Sequence, residues 1–101
     1  MGVRDLTGSV ALVTGSTDGV GRVVALSLGE AGARVLVHGR DAERGIRVVA
    51  DIEKAGGAAT LFRADLASLA EVRRFAAAVK EETGRLDMLI NNAGLVAPRR
   101  A

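Results

Sequence analysis

The sequence predicts an α/β protein on a parallel sheet, with elements in the order βαβαβαβ. Three observations predict it. Four short apolar runs of strand length alternate with three longer segments that repeat apolar residues at helical spacing. Glycine or a capping residue stands at nearly every joint. Phe62 and Phe75 are the only aromatics in 101 residues, so Val, Leu, Ile and Ala must fill the core, which suits helices laid on a sheet.

Residues 9–14 open the pattern. Val10, Ala11, Leu12 and Val13 form an unbroken apolar run between Gly8 and Gly15, as in a strand buried on both faces. From Val20 the spacing turns helical, with Val20, Val23, Val24 and Leu28 on one side and Gly32 as the stop. A second strand covers 34–38. Asp41 is placed to cap a second helix whose apolar stripe is Ile46, Val49, Ala50 and Ile52, ended by Gly56 and Gly57. A third strand spans 58–63. Ser68 opens a third helix, and Glu71 three residues on completes a capping-box signature. Val72, Phe75, Ala76 and Val79 give that helix its stripe, Gly84 stops it, and 88–91 is the fourth strand. Residues 95–101, with the sole proline Pro98, read as a terminal loop of one domain spanning 1–101. Such alternation implies right-handed crossovers. By analogy with dinucleotide-binding folds the strand order is 3-2-1-4.

Composition narrows the function. Apolar residues make up 49% and charged residues 26%, a globular balance. Without cysteine there is no disulfide, thiolate chemistry or Cys-rich zinc site, and His38 alone cannot form a histidine cluster, so no metal is expected. Arg99 and Arg100 account for the formal net charge of +2. The other basic residues are scattered among acids without interleaved aromatics, which argues against nucleic acid as a partner. No apolar run reaches the roughly 18 residues of a membrane span, and residues 1–6 lack a signal-peptide core. A soluble, cytoplasmic protein is expected.

The chemistry lies in Thr14-Gly15-Ser16-Thr17-Asp18-Gly19-Val20-Gly21, between a strand and a helix. A diphosphate needs backbone amides it can approach closely, and it gains from the positive end of a helix dipole. Gly15 permits the tight turn, Gly19 lets the chain pass near the phosphates, and Gly21 lets the helix pack close. The turn holds no Lys or Arg, so binding would rest on amides and dipole. The alternative is a glycine-rich turn with no ligand. About 20 residues on, where NAD-binding folds place an acidic residue, the second strand ends in Gly39 and Arg40. An Arg can pair with the 2′-phosphate of NADP, whereas an acid would repel it. NADP(H) is therefore favoured over NAD(H); otherwise Arg40 is a solvated surface residue. His38 reads as a strand-end packing residue.

Taken together, the glycine turn, the basic end of the second strand, Asp65-Leu66 after the third and Asn91-Asn92-Ala93-Gly94 after the fourth resemble the short-chain dehydrogenase/reductase family. The resemblance covers nearly the whole chain. It implies a Rossmann-type doubly wound sheet and NAD(P)-dependent oxidoreductase chemistry on an alcohol or carbonyl group. Gly15, Thr17, Asp18, Gly19, Val20 and Gly21 would line the diphosphate and adenosine ribose. Asp65 would accept from the adenine amino group with Leu66 beside the ring; otherwise Asp65 is a turn residue. Asn92, Ala93 and Gly94 would pass along the nicotinamide-side ribose, unless they form a plain strand-end turn. Asn92 would brace the sheet, and the Thr14 hydroxyl would tie the first turn to the last. Residues 89–94 followed by Pro98 also look like the retinol-dehydrogenase-like branch.

The family's catalytic Ser and Tyr-x-x-x-Lys have no counterpart, since the sequence contains no tyrosine. Without a tuned phenol the acid/base contribution, typically about 10²–10⁴-fold, is missing. No catalytic residue is therefore assigned, and the 101 residues are expected to be a piece of an oxidoreductase, incompetent alone. A stand-alone regulatory NADP(H)-binding module and a half-enzyme completed by another chain are the alternatives. The fourth strand is expected to leave an apolar unpaired edge that promotes self-association.

Overall fold

The computed structural model describes residues 5–92. Strands β1 (Val10–Val13), β2 (Arg34–Gly39), β3 (Ala58–Arg63) and β4 (Met88–Ile90) alternate with helices α1 (Gly19–Glu30), α2 (Ala42–Lys54) and α3 (Leu69–Thr83). The strands are parallel and ordered β3-β2-β1-β4, as the sequence predicts for a Rossmann-type sheet. The expected loop 95–101 lies outside the described residues.

The sheet carries a core on each face. Val13, Val35 and Val37 meet Ala25 of α1 and Val48 and Ile52 of α2. Val10, Leu12 and Leu36 meet Val79 of α3, with Phe62 and Phe75 alongside. Strands sandwiched in this way read as continuous apolar runs because neither face sees water. Each fully buried Val or Leu contributes about 1.5–3 kcal/mol.

The helix faces match the expected stripes in part: Val24 and Leu28 of α1 and Val49 and Ile52 of α2 pack on the core, and the rest of each stripe does not. In α1, Val20 and Val23 are 71% and 61% exposed, while the buried residues are Gly21, Ala25 and Gly29. In α2, Ile46 and Ala50 are exposed, and Gly45, Val48 and Ile52 face inward. The cause is close approach. A Cβ on Gly29 would sit 2.8 Å from Ile52 Cγ2, and one on Gly45 would sit 2.5 Å from Leu61 Cδ1. Glycine thus sits at the points of closest approach, while Val24, Leu28, Val48, Val49 and Ile52 pack around them and Val20, Val23 and Ile46 turn outward. In α3, Val79 is buried and Val72 and Phe75 half-buried, but Ala76 is exposed.

The caps form with one change. Asp41 accepts from the Arg44 amide at 3.1 Å, and Ser68 Oγ accepts from the Glu71 amide at 3.3 Å. The Glu71 carboxylate, however, accepts from the Asp65 amide at 2.8 Å, while the Ser68 amide donates to the Asp65 carbonyl. The box is therefore stretched back to Asp65. Gly84 ends α3 in the left-handed conformation at φ 68°. The fourth strand is clasped at its start: the Asp87 carboxylate accepts from the Val10 amide at 2.7 Å, and the Asp87 amide donates to the Val10 carbonyl at 2.9 Å. Among the described residues no helix is long and apolar enough to cross a membrane.

Candidate functional site

Four segments meet at the carboxyl ends of the strands, where ligands bind in open α/β sheets. The β1–α1 turn is central. Thr14 donates its amide to the Ile90 carbonyl at 3.0 Å, and its hydroxyl lies 3.2 Å from Asn91 Oδ1, so the tie between the first and last turns is present. Asn92 Nδ2 donates to the Gly15 carbonyl at 3.2 Å, giving that side chain its bracing role. Gly15 stands at φ 62° and Gly19 at φ 55°, conformations that side chains disfavour.

Gly21 fills a tighter role than expected. A Cβ there would lie 2.2 Å from the Gly15 carbonyl oxygen and 2.8 Å from Asn92 Nδ2, so it is the turn, more than the sheet, that demands glycine. Asp18 caps α1, accepting from the Gly19 amide at 2.8 Å. Among the described residues nothing accepts a hydrogen bond from the Val20 and Gly21 amides. Two donors thus stand open at the positive end of a 12-residue helix, a ready anion site.

Gly15, Thr17 and Asp18 share a cleft of about 580 Å³ with Arg40, Asp65 and Leu66, so the sequence-selected residues from three strand ends come together. Arg40 is 76% exposed at its side chain, 3.9 Å from Asp65. Asp65 is also a turn residue, its Oδ1 accepting from the Ala67 amide at 3.0 Å. Val20 lies on the rim with its side chain in solvent, offering only its backbone. Ala93 and Gly94 lie outside the described residues, as does Pro98.

Sequence reasoning missed four neighbours. Ser16 is fully buried and exchanges hydrogen bonds with the His38 backbone: its amide donates to the His38 carbonyl at 2.8 Å, and its Oγ accepts from the His38 amide at 2.9 Å. The His38 ring, read as packing alone, also bonds the turn, its Nδ1 accepting from the Gly15 amide at 2.9 Å. Gly39 is bare because a Cβ would meet Thr17 Cγ2 at 2.3 Å. Arg44 reaches Asp18 at 3.3 Å and, with Arg22 and Arg47, lines an adjoining pocket of about 360 Å³ beside Thr17. The i, i+3 spacing of Arg44 and Arg47 just after a cap was a legible sign of the last; contacts spanning 22 residues leave no local sign. A second cleft, apolar and about 470 Å³, lies between α3 and β4, lined by Leu12, Leu66, Phe75 and Leu89 among others.

Comparison with known proteins accords with this architecture. The short chain dehydrogenase family profile matches residues 9–101. A 3beta-hydroxysteroid dehydrogenase of Mediterraneibacter gnavus is 42% identical over 87 residues, covering 86% of this chain and 32% of that protein. A metagenomic short-chain oxidoreductase solved in complex with NADP superposes with a TM-score of 0.85 at 40% identity, over 93% of this chain and 44% of that one. An NADH-dependent reductase complexed with NAD superposes at 0.78 with 36% identity, over 86% and 36%. The chain spans about a third of the length of the curated relatives it matches.

Proposed function

The chain belongs to the short-chain dehydrogenase family, and on that premise we propose that it supplies the NADP(H)-binding part of an oxidoreductase acting on an alcohol or carbonyl group. The observation that carries this reading is the pair of open amides at Val20 and Gly21, beside a Gly21 with no room for a Cβ. Two donors and a helix dipole suit that surface to a diphosphate, beside the Asp18 carboxylate that caps the Gly19 amide.

The remaining roles follow the family pattern, and the cleft that gathers Thr17, Asp18, Arg40, Asp65 and Leu66 supports them. Thr17 and Asp18 lie where the adenosine ribose would run on from the diphosphate. Asp65 and Leu66 close the adenine end. Thr14 and Asn92 hold the turn in shape, and the family resemblance assigns Ala93 and Gly94, outside the described residues, to the nicotinamide-side ribose. Arg40 would face the 2′-phosphate of NADP, with Arg44 as a second guanidinium nearby; Asp41, the acid next in sequence, is engaged as the α2 cap. A bound dinucleotide would supply hydride-transfer chemistry, and these residues would hold its adenosine and diphosphate part. Lacking a tyrosine, the 101 residues bind without turning over. The open β4 edge and the apolar cleft beside it support self-association.

Parallel titrations with NADPH and NADH test the proposal. NADPH binds more tightly, and Arg40→Ala weakens NADPH by about tenfold, the scale of one charge-assisted bond, while NADH changes little. Equal loss for both nucleotides removes the 2′-phosphate assignment. No binding of either removes the function.

A further inference from the structure

We propose that His38 is a positioning residue for the nucleotide-binding turn: its Nδ1 holds the Gly15 amide, its Nε2 holds the Ala64 carbonyl, and dinucleotide affinity depends on the imidazole staying neutral. This rests on the function proposed above and adds a control to it.

Donor chemistry fixes the tautomer. The Gly15 amide, 2.9 Å from Nδ1, can only donate, so Nδ1 must present its lone pair. The Ala64 carbonyl, 3.0 Å from Nε2, can only accept, so Nε2 must carry the proton. One neutral form satisfies both partners. An imidazolium would set an N–H against the Gly15 N–H, and one contact would have to open.

The site is built to keep this arrangement. His38 is 4% exposed, so water has little room to replace either partner. Its ring lies against Phe75, centroids 5.0 Å apart. Ser16 grips the His38 backbone through both its amide and its hydroxyl, so backbone and ring are both tied to the same turn. Burial holds the imidazole below the usual histidine range, and the bond to Ala64 offsets part of that. Asp18, Arg40 and Asp65 line the cleft that His38 borders, and Glu71 and Arg74 of α3 flank Phe75. Of the side-chain types gathered there, histidine is the one that ordinarily changes charge between pH 5 and 8.

The Gly15 peptide transmits the effect. Its carbonyl oxygen is the atom 2.2 Å from where a Gly21 Cβ would sit, and it accepts from Asn92. Moving Gly15 therefore shifts the start of α1, where the open amides are. The Gly15 amide is itself occupied by His38, so it is set aside from the anion-binding group and serves as the hinge pin of the turn.

The test titrates the full chain with NAD⁺ and NADP⁺ from pH 7.5 to 5.0. Below the His38 transition, the parent loses affinity about tenfold per pH unit, the slope of one linked proton. His38→Leu, which removes the acceptor, binds about tenfold more weakly already at pH 7.5. His38→Asn, whose Oδ1 can stand in for Nδ1, recovers most of that loss and shows no such slope. The ratio of parent to Asn variant cancels the titration of the nucleotide itself. Identical pH profiles for parent and Asn variant overturn this inference and leave the proposed function standing; absence of binding at pH 7.5 overturns both. Should the Leu variant not fold, ¹⁵N shifts of the ring decide: an unprotonated Nδ1 at neutral pH, with the Gly15 amide signal tracking its protonation, is expected. A protonated Nδ1 at neutral pH defeats the assignment.

Discussion

The two flanks of the sheet are finished differently. Where α1 and α2 cover β1 and β2, Val13, Val35, Val37, Val48 and Ile52 are almost wholly buried, and glycines let the helices settle close. Where α3 lies near β4, Val79 is the buried residue of the helix, Leu89 is 58% exposed, and an apolar cleft stays open. The glycine turn spans the two. On the β2 side it is tied to His38 through the Gly15 and Ser16 amides and Ser16 Oγ, over a packed core. On the β4 side it is fastened by hydrogen bonds with the Ile90 carbonyl, Asn91 Oδ1 and Asn92 Nδ2. The turn's shape can therefore be held by polar ties even where apolar burial is incomplete.

That contrast can be broken or sharpened. The largest effect is expected at Ile52, wedged beneath Gly29: Ile52→Ala should cost about 2–5 kcal/mol in urea unfolding, and a cost below 1 would mean the tight flank is not tight. Next, Gly21→Ala forces a Cβ against the Gly15 carbonyl and should cost about 1–3 kcal/mol. It should also abolish nucleotide binding measured by titration calorimetry; retained binding would detach the site from the turn.

A pH effect is expected on the loosely packed flank. Arg85 and the Val10 amide hold the Asp87 carboxyl below the usual carboxylate range. The carboxylate's contribution is therefore present above the ordinary value, about 3.9, and fades as pH falls through the lowered one. Acid unfolding followed by circular dichroism should be steeper for the parent than for Asp87→Asn. The smallest change in stability belongs to Leu89→Lys, within about 0.5 kcal/mol. The same substitution tests the proposed self-association: size-exclusion chromatography at micromolar protein should show the parent eluting larger than the variant, since a charge on an edge strand discourages pairing.

Most of the architecture was legible because strands buried on both faces and punctuated by glycine and caps leave local signals. Parallel strands followed from alternation, the strand order from analogy with dinucleotide-binding folds, and the glycine turn from its flanking elements. The helix faces were legible in part. Val24, Leu28, Val49, Ile52, Phe75 and Val79 pack on the core as their spacing implied, but Val20, Val23, Ile46 and Ala50 do not, and the closest contacts run through Gly21, Gly29 and Gly45, which carry no hydrophobic signal. His38 and Ser16 were hidden for another reason: a hydrogen bond to a residue 22 or 23 positions away has no period to betray it.

The Asp87 clasp has a consequence beyond stability. It locks Met88 opposite Ala11 and Ile90 opposite Val13 before any outside neighbour arrives. Among the described residues the outer margin of β4 has no neighbouring strand; one added there would meet a template already aligned, with inward and outward side chains decided in advance. One carboxylate, bonded to the strand on the opposite side, would thereby dictate how the sheet grows.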